Sequence, residues 1–79
     1  MIKEIYCYHD EIHGYYNIGT YLNEMDAIRV FKWTMNRDNL PDFVKNDLSL
    51  MRIGTFDDES GDLFACEPKV VYKGEDFIE

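Results

Sequence analysis

The sequence predicts an α+β domain: a small antiparallel sheet of four to five strands with one helix packed on one face, in the order ββαββ. Three observations carry this expectation. Short β-branched and aromatic runs open the chain, first "IKEIYCY" and then "YYNIGTYL". From Glu24 the apolar residues switch to a helical period. Strand-like runs then return in "DLSLMRIGTF" and "LFAC".

Residues 2–8 form the first strand. "HDEIHG", residues 9–14, is polar and ends in glycine, which makes it a loop. Residues 15–22 are the second strand and close a hairpin with the first; Gly19 inside it marks a bulge or the strand's end. Asn23 is a good N-cap, and Asp26 three positions later can satisfy a free amide of the first turn. Ala27, Ile28, Phe31 and Met35 then recur on one face of a helix. Glu24 and Asp26 sit at its N-terminal end, and Arg29, Lys32 and Arg37 lie toward the other, an order that suits the helix dipole. The helix stops near Arg37, ahead of "DNLPD", because Pro41 forbids continuation. Pro41 starts one further turn through Phe43 and Val44.

Residues 47–56 are the third strand, "DDESGD" is a turn, and residues 63–66 are the fourth strand. Pro68 breaks that strand, and "KVVYK", residues 69–73, pairs as an optional short fifth. Residues 1–74 are expected to form the single domain, with residues 75–79 as an acidic C-terminal tail that frays. No repeat, linker or low-complexity tract divides the chain.

With 79 residues there is room for one core. A domain this small buries about 60–65% of the surface its unfolded chain exposes, so every large side chain counts. A hydrophobic fraction of 46% is too high for a disordered chain. The net charge of −8, from 16 acids and 8 bases, argues against a general nucleic-acid coat; DNA contact would need a local basic patch. The start "MIKEIYCYHDEIH" lacks an apolar leader, and no run approaches the ~18 apolar residues of a membrane span. Cys7 and Cys66 both lie in apolar runs and read as reduced core thiols of a cytoplasmic protein.

The stretch "RIGTFDDESGDLF" holds the densest cluster of carboxylates. A calcium loop needs oxygens at alternate positions between two helices, and here they are clustered between strands. A catalytic pair needs a pocket that shifts one pKa, and a hairpin tip is normally wet. The turn reading fits each residue: Asp57 and Asp58 cap local amides and Gly61 supplies positive φ. Cys7, His9 and His13 offer zinc-type donors, but a structural site needs four. No metal, cofactor or catalytic residue is therefore expected.

Trp33 stands nearly opposite the stripe of Ile28, Phe31 and Met35. Arg29, Val30, Lys32 and Arg37 surround it, with no acid from Arg29 to Arg37. These five residues are the candidate partner-binding site. An exposed tryptophan amid cations stacks a nucleobase or anchors a protein interface; alternatively "LPDFV" or a second subunit covers it. Twelve aromatic residues also exceed what one thin helix-on-sheet layer hides. A homodimer is expected, through the open sheet face, with Tyr6, Tyr8 or Met51, or through the Val30–Trp33 helix face.

The ordered set Tyr8 and Asp10, then Ala27, Ile28, Arg29 and Phe31, then Ile53, Gly54, Phe56, Asp57 and Gly61 resembles the small nonstructural protein of gokushovirus-type microviruses, which are single-stranded DNA phages. The similarity runs over residues 6–63. The chain departs from the pattern at "HDEIHGYYNIG", which lacks the prolines of the family's second strand. The resemblance implies a non-enzymatic protein in the cytoplasm of an infected bacterium. It implies a role in viral DNA replication and single-stranded genome production, through DNA or replication proteins. The acidic surface allows another expectation: a host-directed inhibitor that blocks a basic, nucleic-acid-handling site.

Overall fold

The computed structural model describes residues 1–77. Its elements are strands β1 (Ile2–Asp10) and β2 (Gly14–Tyr21), helices α1 (Glu24–Arg37) and α2 (Asp42–Asp47), strands β3 (Leu48–Asp57) and β4 (Leu63–Lys73), and a closing 3-10 turn, Gly74–Phe77. All neighbouring strands pair antiparallel in the order β2-β1-β3-β4. The protein is an α+β domain of one four-stranded sheet with its main helix between β2 and β3. Because β1 lies between them and opposes both, β2 and β3 run the same way. That connection must cross the sheet, and α1 is the crossing element.

The helix begins where the sequence places it. Asn23 has extended backbone angles and its Oδ1 accepts the Asp26 amide at 2.9 Å. The capping group is thus the asparagine side chain, and Asp26 contributes its own N–H rather than its carboxylate. At the other end the Asp38 amide donates to the Thr34 carbonyl, and Asn39 turns left-handed at φ 51.

The core lies between α1 and one face of the sheet. Tyr6, Tyr8, Leu48 and Leu50 meet Ala27, Phe31 and Met35, with Tyr21, Ile28, Leu40, Val44, Val71 and Tyr72 around them. Phe31 is fully buried; its ring stands edge-on to Tyr8 at 4.9 Å and to Tyr72 at 6.1 Å. Both buried tyrosine hydroxyls have partners: Tyr8 donates to Thr34 Oγ1 at 3.3 Å and Tyr6 to Glu4 Oε1 at 2.7 Å. Burial, reinforced by the Glu4 carboxylate, pushes the Tyr6 phenol well above its ordinary pKa.

Tyr6 and Tyr8 thus face the helix rather than the open side. Alternation puts Ile5 and Cys7 on the opposite face. Both parities of β1 are apolar, so spacing could not tell which one meets α1. Met51 pairs with Cys7 across β1 and β3, outside the helix-side core, as the open-face expectation required.

Two expectations at the C-terminal end are corrected. Pro68 does not divide two strands; β4 is continuous. Between the pairs Arg52–Lys69 and Gly54–Ala65, Cys66, Glu67 and Pro68 oppose Ile53 alone, in a bulge on an edge strand. There the missing proline N–H costs no ladder bond. The segment after residue 74 is not all tail: residues 75–77 belong to the closing turn. Phe77 packs against the core and Lys45 Nζ sits 5.0 Å over its ring. Ile78 and Glu79, the rest of the expected tail, lie outside the described residues.

Candidate interaction surface

Four of the five residues singled out around Trp33 come together on the outer side of α1. Arg29, Val30 and Trp33 line a shallow open depression. Trp33 is 58% exposed, and Phe43 of the "LPDFV" segment is itself exposed. Leu40 and Val44 of that segment turn toward the core instead. Among the described residues, therefore, no segment closes over the tryptophan. Arg37, one turn on, lays its guanidinium 4.6 Å over the indole ring. The same guanidinium donates from Nε to Asp38 Oδ1 at 2.9 Å, and this carboxylate raises its pKa further.

Lys32 leaves the group. Its Nζ lies 5.0 Å over the Tyr72 ring, on the β4 side of the helix. The basic patch is smaller than residue spacing suggested. One cation, Arg29, borders the depression, and a second, Arg37, is already stacked and paired.

The acidic stretch is a turn. Gly61 has φ +80, its amide donates to the Asp57 carbonyl at 2.8 Å, and Asp57 Oδ1 accepts the Glu59 amide at 3.0 Å. That last bond holds the Asp57 carboxyl below its ordinary pKa. Asp58 Oδ1 accepts from the Met1 ammonium at 2.7 Å, which lowers the carboxyl and raises the amine.

The zinc-type donors are dispersed. Cys7 is buried, and burial pushes its thiol pKa up. The His9 ring stands 4.4 Å from Tyr15, while His13 Nδ1 is 3.4 Å from Asp10 Oδ2. Among the described residues no three His, Cys, Asp or Glu side chains gather as ligands. Both cysteines are free, but the core-thiol expectation holds for Cys7 alone, since Cys66 is exposed in the β4 bulge.

Sequence reasoning missed a second surface in its particulars. Ile5, Ile18, Ile53, Leu63, Phe64 and Ala65 line an apolar depression on the sheet side away from α1. Ile18 and Leu63 are each 70% exposed. The available signal was Ile18 itself, an isoleucine beside the Gly19 that flagged a bulge.

The fold and its surfaces define a class: a small α+β protein that presents two apolar patches, one edged with arginine, to solvent. The family model described as Phage ORF5 protein matches residues 3–77, and the chain belongs to that family. No curated protein and no solved structure matches the chain. Among the described residues no helix is long and apolar enough to cross a membrane.

Proposed function

We propose that this phage accessory protein is a non-enzymatic nonstructural protein of a gokushovirus-type microvirus. It acts in the cytoplasm of the infected bacterium, in viral DNA replication and single-stranded genome production, by binding a replication protein through Arg29, Val30, Trp33 and Arg37. The observation that carries the reading is the exposed Trp33 ring under the Arg37 guanidinium. Tryptophan and arginine are the residues most enriched among interface hot spots.

A protein partner is favoured over single-stranded DNA. Binding a strand takes a groove of cations along the backbone. Here Lys32 is turned to Tyr72, Arg37 is paired with Asp38, and the chain carries a net charge of −8. The membership of the Phage ORF5 family supports the viral setting.

The test is the ratio of single-stranded to duplex viral DNA in infected cells, with Trp33→Ala in place of the wild type. A fall in that ratio with folded protein present is the expected outcome. An unchanged ratio and phage yield would sink the reading. Trp33 is the single tryptophan, so its fluorescence also reports on DNA directly. Salt-sensitive quenching by an oligonucleotide would replace the protein partner with DNA. Loss of binding to a host nucleic-acid enzyme, with viral DNA unaffected, would favour the host-directed inhibitor.

A further inference from the structure

Among the described residues no layer covers the open face of the sheet. The Cα envelope is only 16 Å in its thinnest dimension, the depth of one sheet and one helix. The main core cluster gathers on the helix side, around Phe31, while Ile5, Cys7 and Met51 are buried on the other side among their strand neighbours. On the other side Ile5, Ile18, Ile53 and Leu63 surround the apolar depression, and Met51 and Val70 continue the patch along β3 and β4.

We propose that this face is the contact surface of a homodimer, packed sheet to sheet with a second copy of the chain. Three observations select that occupant. The first is charge. None of the residues that line the depression is charged, nor are Cys7, Met51 or Val70 beside it. The depression itself offers an acidic or basic partner nothing to pair with, whereas an identical apolar depression matches it; charge of both signs begins only beyond Met51 and Val70, where Glu11, Asp47, Lys73 and Glu75 line the adjoining groove. The repulsion between two −8 chains is screened by salt.

The second is area. Four strands spaced by ~4.8 Å and about nine residues long at ~3.3 Å each present roughly 550 Å² of face. Two copies then bury about 1,100 Å², just above the ~1,000 Å² that a specific interface needs. The third is the state of the edges. β4 carries Pro68 in a bulge, and β2 is interrupted opposite Cys7, with Asn17 at φ 58. Both edges resist strand addition, so the second copy approaches face to face. A two-fold axis makes such a contact closed and self-matching.

Light scattering on the full chain at tens of micromolar tests this. The expected mass is that of two 9.4 kDa chains. A monomer mass at that concentration overturns the proposal. Ile18→Glu and Leu63→Glu change side chains that are 70% exposed in the monomer, so they spare its core. Each is expected to raise the dissociation constant at least about tenfold while circular dichroism stays that of the wild type. Ile18→Gln serves in the same role should Ile18→Glu fail to fold. A dimer that survives these changes but separates with Val30→Glu would move the interface to α1 and overturn the sheet-face assignment. Trp33→Ala, on the other side, is expected to leave the dimer intact, so this surface and the Trp33 surface are tested separately.

Discussion

Phe31 touches rings from two different strands and has no exposed surface. Truncation there removes the keystone between α1 and the sheet. Phe31→Ala is expected to cost about 3–5 kcal/mol in chemical denaturation, close to the whole stability of so small a domain. A midpoint near that of the wild type would show that the helix packs in another register. Gly54 is constrained differently. A Cβ there would run into the Phe64 carbonyl and the Ala65 Cα of the adjacent strand. These are backbone atoms, which cannot turn aside as a side chain can. Gly54→Ala is expected to lose roughly 1–3 kcal/mol from overpacking, measured by the same unfolding curve.

At the scale of elements, α1 depends on its cap. Asn23→Ala leaves the Asp26 amide unpaired in the first turn and is expected to cost about 1 kcal/mol, read as a lower melting temperature with an unchanged helical spectrum at low temperature. The β3–β4 turn is closed by local backbone bonds and by Gly61 at positive φ. Millimolar calcium is expected to leave the melting temperature where it was; a rise of several degrees would make the turn a cation site. Within β4, the bulge explains how one strand carries Pro68. Edge position and the extra residues remove the demand for its N–H.

For the whole molecule, stability is expected to hold from about pH 5 to 8 and to fall on the acid side. Asp10, Asp57 and Asp58 all have folded pKa values below the ordinary one; the causes are the Ile12 amide, the Glu59 amide and the Met1 ammonium respectively. The unfolded chain therefore takes up protons first as the pH drops through ~4, and their contribution disappears as the folded values are passed. The Met1 amine is raised, so its share is present below pH ~8 and fades above it. Tyr6 is also raised, which adds an alkaline limb above pH ~10, where only the unfolded phenol ionises. Urea midpoints across this range check the profile. Asp58→Asn is expected to flatten the acid limb, and an unaltered limb would remove Asp58 from the account.

The amino-acid pattern by itself determined the α+β class, the span of α1, its asparagine cap, the buried stripe of Ala27, Phe31 and Met35, and the acidic turn at Gly61. Each of these is set within a few residues along the chain, by helical period, capping chemistry or the need for positive φ. Only the tertiary structure decided the rest. Which parity of β1 meets the helix depended on where α1 lands, since Tyr6 and Tyr8 are as apolar a row as Ile5 and Cys7. The unity of β4 depended on its being an edge strand, which local sequence does not state. Lys32 joined Tyr72, and not Trp33, because β4 passes beneath that side of the helix. The exposure of Trp33 and of the Ile18–Leu63 face followed from what the chain has left to cover them. One helix can shield one side of a sheet, and Phe31 had already committed it to the side of Tyr8 and Tyr72.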